Sequence, residues 1–210
     1  MLTVEQIEQN KLEYIKLIRS IEREGADIER LVRKLEASDF FVAPASTKYH
    51  GNFEGGLCEH SLRVYNNLLC IVNNNGCLDE GCYDSNTLKI VALLHDISKM
   101  NIYEKTAINK KVYCDDGDKY DEVGKFKWVS EKGFKTKESR FVFGSHECTS
   151  EYIARQFIPL TLDESVAILH HMGSMSWDSA KDNIGEVFNQ YNLALILYMA
   201  DMMTTYVDKV

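Results

Sequence analysis

Proline is scarce in this chain: 210 residues hold two, Pro44 and Pro159, where a usage of about 5% would give roughly ten. That excludes collagen-like, mucin-like and proline-rich linker sequences. Long apolar runs are also missing. No uncharged run reaches the roughly 18 to 20 residues that span a bilayer, and the one from Val187 to Ala200 covers 14. No membrane partner is therefore expected. Glu5, Glu8 and Lys11 occupy the positions where an export signal needs its apolar stretch, so the expected location is cytoplasmic. No Cys-x-x-Cys pair occurs among Cys58, Cys70, Cys77, Cys82, Cys114 and Cys148, and free thiols are expected. Cys77 and Cys82 could form a zinc clip, but their Asn, Gly and Asp neighbours favour a plain loop. Positive charge is in deficit. Lys and Arg total 24 against 32 Asp and Glu, a net charge of -8, which opposes broad binding to the phosphates of duplex nucleic acid.

What remains is a composition that is 45% hydrophobic and 27% charged, suited to one domain that buries roughly 70% of its surface. Apolar residues at three- and four-residue steps (Ile7, Tyr14, Ile15, Ile18, Ile21) predict a helix over 3–24, ended by Gly25. Ile28, Leu31, Val32 and Leu35 predict a second, so residues 1–43 read as an amino-terminal helical hairpin. That hairpin is either a cap on the main domain or a surface for homo-oligomer formation. After a glycine-containing loop, helices are expected from Leu57 to Val72 and from Asn86 to Ile97, the latter apolar all round and therefore central. Ser145 caps a helix through Phe157, Thr161 and Glu164 form a capping box for another ending near His171, and Phe188 to Val207 reads as the last long helix.

The segment 106–144 differs in kind. Val112-Tyr113 and the run holding Val123, Phe126, Trp128 and Val129 flank a turn-forming Asp115-Asp116-Gly117-Asp118, which predicts a β-hairpin or three short strands. Its lysines, with Tyr113, Phe126 and Trp128, suit a lid over an anionic, base-containing substrate. They suit equally a solvated hairpin whose aromatics pack on the body.

Chemistry concentrates on histidine and aspartate. His95-Asp96 follows Leu93-Leu94 at the end of the most apolar helix, and burying both groups without partners would cost several kcal/mol. A metal ion satisfies both. His60, His95, Asp96 and Asp201 can converge on one ion, and His146 with His170 can hold a second, Asp96 bridging the two. For any one histidine alone, a place in a core, bonded to a backbone carbonyl, is the better reading. The combination of a buried His-Asp pair with Asp201 in another apolar helix favours metal.

These residues are familiar as a set. His60 in Gly55-Gly56-Leu57-Cys58-Glu59-His60, the pair His95-Asp96 in Leu-Leu-His-Asp-Ile-Ser-Lys, and Asp201 in Leu-Tyr-Met-Ala-Asp resemble the HD-domain metal-dependent phosphohydrolase superfamily. The glycine-rich entry is similar to bacterial 3'-5' exoribonuclease-like members, and His146 with His170-His171 is similar to binuclear phosphodiesterases. The resemblance implies an all-α helical bundle over 44–210, interrupted by the insertion 106–144. It also implies a metal set of His60, His95, Asp96, His146, His170 and Asp201, with Asp96, Lys99 and His171 in catalysis. Lys99 would face phosphate, and His171 or His50 would assist proton transfer. Ser98 stands where the family usually has glycine, and no Gly-Tyr-Pro signature follows the later histidines; both argue against specialisation for cyclic di-GMP. The oligonucleotide-binding barrel of the exoribonucleases is not among these residues, which weakens RNA processing.

The expected function is hydrolysis of a nucleotide or small phosphodiester by a metal-activated hydroxide, using one or two divalent ions (Mn, Fe, Co, Ni or Zn). A mononuclear nucleotidase or deoxynucleoside triphosphate hydrolase is the alternative enzyme. A nucleotide-binding module without turnover is the alternative of another class.

Overall fold

The apolar stripes fold onto one another in a computed structural model that describes residues 1–47, 51–74, 83–137, 144–175 and 183–208. Helix α1 (Val4–Arg19) begins with a capping box between Thr3 and Gln6 and ends at Ser20, earlier than its periodicity predicts. Beyond it, Glu22 N–H donates to the Asn86 side chain at 3.0 Å. Helix α2 (Ile28–Glu36), capped by Asp27, packs against α1 through the apolar faces that carry Tyr14 and Ile18 and Leu31 and Leu35.

Six further α-helices are described: α3 (Gly56–Asn74), α4 (Ser85–Leu94), α5 (His146–Arg155), α6 (Leu162–His170), α7 (Ile184–Gln190) and α8 (Asn192–Met202). Helix α3 packs on α4 and α8, and α6 packs on α8, α5 and α4. One core joins Leu57, Leu68, Leu94, Ile168 and Leu197 of these helices with Tyr14, Ile18, Leu31 and Leu35 of the first two. The expected long last helix is broken. Tyr191, at φ -128° and ψ 80°, separates α7 from α8, and the final turns Met203–Asp208 are π-helical. Thr204 Oγ1 donates to the Ala200 carbonyl at 2.9 Å, a back-bond of the kind that bends helices.

The molecule is mostly helical rather than strictly all-α. Strands β1 (Tyr103–Tyr113), β2 (Lys119–Tyr120) and β3 (Lys125–Thr136) form an antiparallel sheet in the order β1-β3-β2. Pairing starts at Tyr103 opposite Thr136, three residues before the expected insertion boundary. The sheet has its own small core. Phe126 lies 6.0 Å from the rings of both Tyr113 and Trp128, and Lys111 Nζ sits 3.9 Å above its face. The aromatics thus pack on one another. Lys105, Lys110, Lys111, Lys127 and Lys135 are paired with Glu54, Glu131, Asp121, Asp116 and Glu104. These pairs neutralise much of the charge a lid would use. At its base the sheet is held by Tyr103 O–H donating to the Ala45 carbonyl at 3.3 Å.

Among the described residues no helix is long and apolar enough to cross a membrane. Cys58, Cys70, Cys114 and Cys148 are free, whereas Cys77 and Cys82 lie outside the described residues.

Candidate metal centre

Two glycines set the start of α3. A Cβ on Gly56 would lie 2.1 Å from the Gly51 carbonyl oxygen, and Gly55 has φ +81°, a conformation natural to glycine. The preceding loop therefore closes directly onto the helix, one turn before His60. At α4 the apolar sequence Ile90–Leu94 is fully buried, so the helix delivers His95 into the interior. His95 is its C-cap, and Asp96 leaves helical geometry at φ -112°, ψ 14°, before the short 3-10 turn Ile97–Lys99. That break lets two neighbours in sequence face one centre. In a continued helix they would point about 100° apart.

His95 and His171 are oriented by one device. Each caps the C-terminal end of its helix and donates Nδ1–H to the carbonyl three residues back, Ala92 and Ile168, at 2.8 Å. A carbonyl can only accept, so Nδ1 carries a proton and each ring turns its Nε2 edge inward.

The inward atoms form two groups about Asp96. On one side, His60 Nε2 lies 3.3 Å from His95 Nε2, 3.1 Å from Asp201 Oδ1 and 3.7 Å from Asp96 Oδ2. His95 Nε2 lies 3.4 Å from the same Oδ2. On the other side, His146 Nε2 and His171 Nε2 each lie 3.6 Å from Asp96 Oδ1. Asp96 Oδ1 and His171 Nε2 are buried without a hydrogen bond, an expensive arrangement.

Electrostatics point the same way. Burial alone would raise the Asp96 carboxyl, but Lys99 and the histidines outweigh it and hold Asp96 well below the usual range. Burial is likewise overcome at Asp201 by the His60 bond, and that carboxyl too is held low. Burial, reinforced by Lys99, pushes His146 well down. Burial opposes charge on His171, yet contact with Asp96 raises it. Lys99 Nζ bonds Asp96 Oδ2 at 2.7 Å, and that pairing outweighs burial and keeps its ammonium charged. Two carboxylates and one ammonium meet the ring nitrogens here, with potential ligand atoms at spacings of 3.1 to 3.7 Å. Ligand atoms about 2.0 to 2.2 Å from a single ion are separated by such spacings. His60 with His95 and Asp201, and His95 with Asp96 and His171, are groups able to hold a metal. Residues of this type suit a divalent ion in both halves.

Sequence reasoning placed His170 in the second group and His171 at its edge. The structure brings His171 to Asp96, while His170, in the last turn of α6, is half-buried and belongs to neither group. Adjacent helical residues diverge by about 100°, and the bond from His171 to Ile168 decides which of the two turns inward. His50 lies outside the described residues. Glu147 was missed. It is buried, with Oε2 3.2 Å from His146 Nδ1, but an acid in the first turn of a helix ordinarily reads as a surface partner of the dipole.

Fold and site define a helical protein with a buried histidine-aspartate centre suited to metal. The HD domain family matches residues 57–205, a span that contains every residue of that centre. The chain belongs to this family, the HD-domain superfamily of metal-dependent phosphohydrolases. Neither the curated proteins nor the solved structures returned a match.

Proposed function

We propose that the protein hydrolyses a nucleotide or small phosphodiester with two divalent ions, His60, His95, Asp96 and Asp201 holding one and Asp96, His146 and His171 the other. The observation that carries this reading is the double aspect of Asp96: Oδ2 faces the first group and Oδ1 the second. When bound, such ions supply Lewis-acid activation of a phosphoryl oxygen and of water. The chain's own residues do the rest. His95 and His171 are held with Nε2 inward by carbonyls, so no rotation is needed to bind. Lys99, half-buried and paired with Asp96, is the ammonium available to phosphoryl oxygens. The apolar shell from α3, α4 and α8 keeps the dielectric low, which strengthens each of these interactions.

The test is metal per chain on protein purified without chelator or affinity-tag metal, followed by hydrolysis assays over nucleotides and phosphodiesters. Two ions falling to one in His146→Ala, with Asp96→Ala losing both metal and turnover, is the expected result. Wild-type turnover and full metal in Asp96→Ala would end this mechanism. A second reading, the mononuclear nucleotidase, draws on one observation: the His146 side chain is 19% exposed whereas those of His60, His95, Asp96, His171 and Asp201 are at most 5%, which suits contact with substrate. One ion, unchanged by His146→Ala, would select it. Full metal loading with nucleotide bound and no product would select the binding module.

A further inference from the structure

His146 has an orientation problem that His95 and His171 do not. Those two end their helices and reach back to a carbonyl of the turn behind them. His146 is the first residue of α5, and a helix start presents N–H groups, not carbonyls. Helix α5 therefore has no preceding turn whose carbonyl could orient the ring, as α4 and α6 have. An acceptor is nevertheless beside it. Glu147 Oε2, buried and without a hydrogen bond, stands 3.2 Å from His146 Nδ1, while Nε2 on the opposite edge faces Asp96 Oδ1 at 3.6 Å. A carboxylate serving only the helix dipole would stay in water, since burying it is costly. The backbone beneath the ring is tied down as well. Ser98 Oγ donates to the His146 carbonyl at 2.8 Å, and Ser150 Oγ donates to Ser98 Oγ at 2.9 Å. The start of α5 is thereby fastened to the turn that carries Asp96 and Lys99.

We propose that Glu147 is the positioning residue for the second ion, holding His146 as the Nδ1-protonated tautomer with Nε2 directed at Asp96. The inference rests on the two-ion reading above. Carboxylate partners of this kind fix ring orientation and raise ligand basicity, and their loss typically costs about 10- to 100-fold in metal affinity. Ser98 and Ser150 complete the support, by fixing the backbone rather than the ring.

The test is titration of the metal-free full-length chain with Mn2+, free aquo-ion being followed by electron paramagnetic resonance, for wild type, His146→Ala, Glu147→Ala and Glu147→Gln. In Glu147→Ala the weaker binding step should loosen by about 10- to 100-fold while the tighter step is unchanged. Glu147→Gln should remain within about threefold of wild type, because its amide oxygen still accepts from Nδ1–H. Wild-type binding of both ions in Glu147→Ala would overturn the proposal. So would equal weakening of both steps, which marks a general structural role. Identical ion counts for wild type and His146→Ala would overturn the two-ion reading itself, whatever Glu147 does.

Discussion

Glu164 and Asp96 are both buried carboxylates, yet their surroundings have opposite characters. Arg23 reaches both oxygens of Glu164, at 3.1 and 2.7 Å, Thr87 Oγ1 donates to Oε1 at 2.8 Å, and Thr161 N–H donates to Oε2 at 2.8 Å. Every side of that carboxylate is answered, which is how a structural acid is built. Asp96 Oδ1 has no hydrogen-bond donor, which is how a ligand is built. The difference is testable at Arg23. Its side chain is 18% exposed and that of Glu164 fully buried, so Arg23→Met strands a buried charge and should lower stability by about 3 kcal/mol in urea unfolding. A loss below about 0.5 kcal/mol would show that Glu164 needs no counter-charge there. In the sequence Glu164 is legible as the third residue of a capping box, and that part holds. Arg23, 141 positions away, is not, because nothing local marks which arginine will fold over it.

Helix ends do most of the work at the level of elements. The ends of α4 and α6 turn His95 and His171 inward, the start of α5 presents His146, and α8 brings Asp201 from within its apolar run. The helices and the capping signals at Ser145 and Thr161 are legible because periodicity and caps are local. Their exact ends are less so. The sheet is a different case. Its aromatics and most of its lysines are satisfied within the sheet or at its base, so the helical core should not depend on it. Replacing residues 104–135 by a short Gly-Ser turn between the paired ends Tyr103 and Thr136 should change stability by about 1 kcal/mol or less. It should also leave metal per chain intact. Loss of cooperative helical unfolding in that variant would show the sheet to be part of the core.

For the whole molecule, the two amino-terminal helices precede the span matched by the family yet share its core. Tyr14 O–H donates to the Leu93 carbonyl at 2.5 Å, two residues from His95, so α1 braces the turn that carries the candidate centre. Fold and metal should therefore melt together. Adding Mn2+ to chelator-stripped protein should raise the unfolding midpoint, by an amount equivalent to about 2.7 kcal/mol when free ion exceeds the dissociation constant 100-fold. An unchanged midpoint across Mn2+ concentrations would mean that the folded centre holds no ion.

By itself the sequence determined the helical class, the buried histidine-aspartate pair and the family, and it named five residues of the candidate centre: His60, His95, Asp96, His146 and Asp201. Local periodicity, motif spacing and the cost of burying polar groups suffice for those. Only the tertiary structure decided that His171 rather than His170 turns to Asp96, that Glu147 stands behind His146, and that the lysines of the sheet are largely paired. Each of those depends on which way a side chain points once the elements are packed, and neither a 100° step along a helix nor a cross-strand partner is fixed by a local pattern.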